Sequence, residues 1–166
     1  MTIEAAIKTA LDYEVKVRDA YLQAAKSTDD TTAKKIFKTL GQEEQHHVNY
    51  LRERLDEWQK SGQITAAKLD SVVPSPKQIA DGIAALDKHL KREAKDSERE
   101  SLEKALELEK ETSAFYEKMV AEMGADGKLF ERFMEIEKGH VAIVQAEIDY
   151  LNHSGYFFDF QDFAMV

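Results

Sequence analysis

The sequence predicts an all-α fold assembled from two helix pairs, and three observations carry the prediction. Composition is the first: of 166 residues, 43% are hydrophobic and 33% charged, with only 7 Gly and 2 Pro, a balance that suits long amphipathic helices and leaves too few turn residues for an all-β domain. Periodicity is the second, because apolar residues recur at alternating steps of three and four, as on the inward stripe of a helix in an antiparallel bundle. The third is an internal echo. Glu44-Gln45-His46-His47 lies seven residues after Phe37, and Glu137-Lys138-Gly139-His140 lies seven residues after Phe130. Upstream, Ala10-Leu11-Asp12-Tyr13-Glu14, with Tyr21 seven residues beyond Glu14, reads against Ala105-Leu106-Glu107-Leu108-Glu109, with Tyr116 seven residues beyond Glu109. Each half thus joins a helix offering one Glu to a helix offering Glu-x-x-His.

The first helix is expected at about 2–26, with the inward positions Ile3, Ile7, Ala10, Glu14, Val17, Tyr21 and Ala24. Ser27-Thr28-Asp29-Asp30 supplies a turn and capping side chains. The second helix, about 31–60, carries Ala33, Phe37, Leu40, Glu44, His47, Leu51, Arg54 or Leu55, and Trp58 on its seam. That register selects Glu44 and His47 from Glu43-Glu44-Gln45-His46-His47 and leaves Glu43 and His46 off the seam. Ser61-Gly62 ends it, and Pro74-Ser75-Pro76 delays the next start. Residues 61–96 form the long connection, with a short helix from Lys77 to Lys91 and a surface histidine, His89. The third helix, about 97–123, has the seam Leu102, Ala105, Glu109, Thr112, Tyr116, Met119 and Met123. After Gly124-Ala125-Asp126-Gly127, the fourth, about 128–152, has Phe130, Phe133, Glu137, His140, Val144, Glu147 or Ile148, and Leu151. Residues 1–155 therefore read as one helical domain, and 156–166 as an aromatic tail that covers the bundle or docks on a partner subunit.

Charge and residue usage exclude several classes of function. A formal net charge of -9 without a local basic patch disfavours nucleic acid and anionic membrane surfaces. With no Cys, the chain offers neither disulfides nor thiolate metal sites nor iron–sulfur ligation. Glu4, Asp12, Glu14 and Asp19 interrupt the apolar steps of the first residues, so neither a signal-peptide core nor a membrane span is read there, and a cytoplasmic location is expected.

Four seam carboxylates, Glu14, Glu44, Glu109 and Glu137, with two seam imidazoles, His47 and His140, form a dinuclear metal-ligand set. Residues three apart share a helix face, so each Glu-x-x-His aims both groups at one point. Unpaired buried carboxylates cost several kcal/mol each, whereas two divalent cations would balance four carboxylates beside neutral imidazoles. Without metal, strongly raised carboxyl pKa values or a loosened bundle are expected. Mixed carboxylate and imidazole donors suit iron, manganese or zinc, while calcium and magnesium prefer oxygen alone. Two ions about 3.5–4 Å apart would hold a small oxidant between them. Tyr21 and Tyr116 lie along the same seam, placed to hydrogen-bond ligand carboxylates.

From Glu14 to His140, and in the aromatic tail, the chain resembles the rubrerythrin branch of the ferritin-like superfamily. The resemblance implies a ferritin-like four-helix bundle with one long crossover connection, a carboxylate-bridged centre of two iron ions, and a homodimer. Rubrerythrins similar to this chain carry a further Glu three residues after the third-helix ligand, which one iron exchanges for a histidine as its redox state changes; here that position is Thr112, which has no carboxylate to offer. They also carry a rubredoxin domain that this sequence lacks, so an external donor such as a rubredoxin-type protein would supply electrons. The function expected is a di-iron oxidoreductase reducing hydrogen peroxide or dioxygen. The alternatives are a ferroxidase or iron-handling protein and a non-catalytic helical scaffold.

Overall fold

In the computed structural model, which describes residues 1–65, 68–86 and 92–165, the chain is all-helical, with no strand among the described residues. Among the described residues five α-helices follow one another: α1 (Ile3–Ser27), α2 (Thr31–Ser61), α3 (Pro76–Ala85), α4 (Asp96–Glu122) and α5 (Glu131–Ser154). Two 3₁₀ helices, Gly124–Phe130 and Phe160–Met165, lie before and after α5.

Local chemistry sets the helix ends. Thr2 accepts the Ala5 N–H at 3.1 Å to start α1, and Asp30 accepts the Ala33 N–H at 2.9 Å to start α2. Ser75 and Gln78 form a reciprocal capping box with Pro76 at the first turn of α3. Gly62 and Gly155 close α2 and α5 with left-handed backbones, φ 70° and 80°. The sequence starts the fourth helix at about 128, but there the chain runs as a 3₁₀ turn to Phe130 and becomes α-helical at Glu131. Gly127 explains the tightness, since a Cβ there would lie 2.7 Å from the Met119 carbonyl oxygen. The short helix of the connection ends at Ala85, before the expected Lys91, because Leu86 turns extended (φ -66°, ψ 138°). His89 lies outside the described residues.

Polar pairs fix the helix directions. Gln59 bonds Glu4 and Arg18 bonds Gln45, which runs α2 antiparallel to α1. Arg99 bonds Asn152, and Lys138 pairs with Glu117, which runs α5 antiparallel to α4. The seam residues Ile3, Ile7, Ala10, Val17, Tyr21, Phe37, Leu40, Leu51, Leu102, Phe130, Phe133 and Val144 are buried.

Two apolar clusters make up the core. One gathers Ile7, Ala10, Tyr116, Phe130 and Phe133; the other gathers Val17, Tyr21, Phe37, Ala105 and Val144. On each long helix the seam passes from one cluster to the other, and it does so at Glu14, between Glu44 and His47, at Glu109 and between Glu137 and His140. The ligand candidates thus form a polar layer between two apolar ones.

The aromatic tail closes the second cluster. Phe157 meets Phe37 edge-on at 5.8 Å between ring centroids, and Phe158 stacks on Phe163 at 5.3 Å. Phe163 lies over Gly82 of α3, where a Cβ would collide with its ring. Among the described residues, no helix is long and apolar enough to cross a membrane.

Candidate metal centre

Each of the four long helices contributes to the polar layer. Glu14 comes from α1, Glu44 and His47 from α2, Glu109 from α4, and Glu137 and His140 from α5, and all six are 0% exposed. The three-residue spacing of each Glu-x-x-His keeps both groups on the inward face, as the sequence requires.

The six form two overlapping groups of four whose potential ligand atoms lie within 4.8 Å of one another: Glu14, Glu44, His47 and Glu137; and Glu44, Glu109, Glu137 and His140. Nδ1 of His47 lies 3.4 Å from Glu14, 3.3 Å from Glu44 Oε2 and 3.4 Å from Glu137 Oε1. Nδ1 of His140 lies 2.7 Å from Glu44 Oε1, 3.2 Å from Glu109 and 3.7 Å from Glu137 Oε2. Glu44 and Glu137 therefore each turn one oxygen toward each histidine, while Glu14 and Glu109 serve one position apiece. The imidazole rings are nearly parallel, 5.7 Å apart.

The tyrosines expected around the site cross between its halves. Tyr21 on α1 donates its hydroxyl to Glu109 on α4 at 2.8 Å, and Tyr116 on α4 donates to Glu14 on α1 at 2.7 Å. These bonds orient the two outer carboxylates and occupy one oxygen of each. Thr112 is fully buried, but its hydroxyl donates to the Leu108 carbonyl of its own helix at 2.8 Å, and no bond from it to a candidate ligand is found among the described residues.

Glu43 is the residue that the seam left out. It is 5% exposed, and its Oε2 lies 2.9 Å from His140 Nε2 while its Oε1 accepts the Val72 N–H at 3.0 Å. A single-stripe reading places it on the shoulder of α2, and the reach to α5 exists only once those helices pack. One signal was present: a charged Glu43 precedes Glu44 where Ile136 precedes Glu137.

Electrostatics divides the carboxyl groups into two kinds. Burial pushes Glu44 and Glu137 well above the usual carboxyl range, and the neighbouring carboxylates, Glu14 and Glu109 among them, push the same way. Burial opposes ionisation of Glu14 too, but the His47 charge and the Tyr116 hydrogen bond outweigh it and bring the carboxyl down to about 2. Glu109 is likewise lowered against burial, by the His140 charge and the Tyr21 hydroxyl. Burial would lower both imidazoles, yet the surrounding carboxylates raise them well above their usual value. The expectation that carboxyl pKa values rise is thus met at Glu44 and Glu137 and reversed at Glu14 and Glu109, because the histidines take up protons and shield them.

The donor set fits a metal. Glu14 Oε2, Glu44 Oε2, Glu109 Oε2, both Glu137 oxygens and both His47 nitrogens are buried without hydrogen-bond partners among the described residues. Such atoms are costly unless something binds them, and oxygen and imidazole donors converging at these distances are what a divalent transition metal requires. The chain matches no known family model, no curated protein and no solved structure.

Proposed function

We propose that the chain is a ferritin-like four-helix bundle with a long crossover, similar to rubrerythrins, whose six buried ligands hold two iron ions for reducing hydrogen peroxide or dioxygen. The observation that carries this reading is the double-facing geometry of Glu44 and Glu137: each turns one oxygen toward each histidine, so both residues would help to hold an ion on either side. Manganese or zinc would suit the same donors.

Reduction of peroxide to two waters takes two electrons and two protons; a bound ferrous pair would supply both electrons in one encounter, with the protons drawn from solvent. The residues of the chain bind, orient and exclude water. Glu14 with His47, and Glu109 with His140, distinguish the two positions; Tyr21 and Tyr116 hold the outer carboxylates at fixed angles. Zero exposure of all six ligands keeps bulk water from the reacting pair. These residues include no Cys to hold an iron–sulfur or rubredoxin-type centre, and the electrons for each turnover would come from a donor such as a rubredoxin-type protein. The assembly proposed is a homodimer in the cytoplasm.

Iron handling is the second reading, and Thr112 favours it. Its hydroxyl is committed to the Leu108 carbonyl, so the ligand set stays at six residues arranged alike in both halves, as suits Fe(II) that is bound, oxidised and released. Rapid mixing separates the two readings. Anaerobic Fe(II)-loaded protein would be mixed with peroxide or dioxygen while ferric absorbance is followed. A peroxidase reacts faster with peroxide and stops at two irons per chain; an iron-handling protein prefers dioxygen and continues past two. If loaded protein reacts no faster than free Fe(II) with either oxidant, both readings fail.

A further inference from the structure

The two halves of the centre differ behind their histidines. His140 donates through Nε2 to Glu43 at 2.9 Å, and Glu43 is itself held by the Val72 N–H from the connection after α2. His47 has no such support: its Nε2 is buried without a partner among the described residues, and its ring meets the Phe133 edge at 5.5 Å. The sequence echo explains the difference, because the position equivalent to Glu43 is Ile136, which is 4% exposed and packed in an apolar cluster. A hydrocarbon there accepts no hydrogen bond.

A carboxylate behind a metal-binding imidazole has three effects. It fixes the tautomer with the proton on the far nitrogen, fixes the ring orientation, and makes the near nitrogen a stronger donor. At His140 all three favour Nδ1 as the ligand atom, facing Glu44, Glu109 and Glu137. Behind His47, at Nε2, no hydrogen bond that would hold tautomer and ring angle in this way is found among the described residues.

We propose that Glu43 is a positioning residue that makes the two metal positions unequal: the Glu109–His140 position binds its ion more tightly and fills first, and the Glu14–His47 position fills last and empties first. The inference rests on the metal-centre reading above and adds an order of loading to it. It also places any exchangeable ion beside Glu14 and His47.

The test is anaerobic calorimetric titration with Co(II), which stays divalent without oxidant. Wild-type protein should bind in two steps, the first at least tenfold tighter. Glu14→Ala should abolish the weaker step and Glu109→Ala the tighter one, which assigns each step to its position. Glu43→Ala should weaken the tighter step by about tenfold to a hundredfold and leave the weaker unchanged, with Glu43→Gln, which keeps an acceptor without the charge, in between. Introduced into Glu109→Ala protein, Glu43→Ala should have no effect on the remaining step. A merely structural role would weaken both steps together, and that result overturns the proposal, as does equal affinity of the two wild-type steps. Should the alanine variant not fold, as circular dichroism would reveal, the glutamine variant carries the same comparison. If wild-type protein binds no Co(II) at all, the metal-centre reading falls and this proposal with it.

Discussion

Glu44 and Glu14 differ in what their loss would do. Glu44 belongs to both four-residue groups and Glu14 to one, so Glu44→Ala is expected to weaken both binding steps in a metal titration, whereas Glu14→Ala removes one. Tyr21 and Tyr116 act on the outer carboxylates. Replacing Tyr116 with Phe leaves the fully buried Glu14 Oε1 without its donor, a loss of about 1–3 kcal/mol, whereas Glu109 Oε1 keeps His140 Nδ1 at 3.2 Å when Tyr21 is replaced and should lose less. In metal-free protein the Tyr116 replacement should lower the melting temperature by several degrees, each kcal/mol being worth roughly 2–4 °C at this size. The burial and convergence of the six candidate ligands were legible in the sequence because each is a polar residue standing where the seam demands an apolar one. Glu43 was not legible, since its partner His140 is distant in the chain and the contact follows from how α2 and α5 pack.

At the scale of elements, the tail shows how α5, α3 and the chain end hold one another. Phe160 is 0% exposed, and Phe160→Ala should cost about 3–5 kcal/mol in a denaturant titration. Gly155 begins the tail at φ 80°, and a Cβ there would collide with the Arg92 carbonyl oxygen; Gly155→Ala should cost about 1–2 kcal/mol from the backbone alone, with that collision added. Glu147 provides a pH dependence. It is 1% exposed, accepts the Phe158 N–H at 2.9 Å, and burial raises its carboxyl well above the ordinary 4.5. Between those two values the folded chain keeps a proton that the unfolded chain has released, so stability falls as pH rises through the window. Glu147→Gln keeps an acceptor for Phe158 and should match wild type near pH 4.5 and exceed it at pH 8, by about 1.4 kcal/mol per unit of displacement. The three-four seam foretold the long helices within a few residues, but it offered Glu147 or Ile148 as alternatives, whereas both are buried. The 3₁₀ start of the last long helix escaped it, because backbone crowding at Gly127 leaves no mark on side-chain periodicity.

Across the whole molecule, the six candidate ligands of the centre set acids against bases. Their surroundings favour the ionised form of Glu14 and Glu109 and the protonated form of Glu44, Glu137, His47 and His140. Two anions and two cations among these six sum to zero, as would four carboxylates, two neutral imidazoles and two divalent ions, and the Glu43 carboxylate beside His140, brought down to about 2, adds the same negative charge in both cases. Metal binding then exchanges protons for ions at constant charge, which spares the apolar layers above and below any change in buried charge. Displacing the protons of Glu44, Glu137, His47 and His140 releases about two protons per ion, so affinity should fall as pH is lowered. Bound ions should also raise the melting temperature, since they stabilise the folded state alone. The measurement that tests this most directly is anaerobic titration of the metal-free protein with Fe(II) at neutral pH, recording bound iron and released protons together. Saturation at two ions per chain with about four protons released is the predicted result; saturation at one ion, or uptake without proton release, would contradict a dinuclear centre built from these six residues.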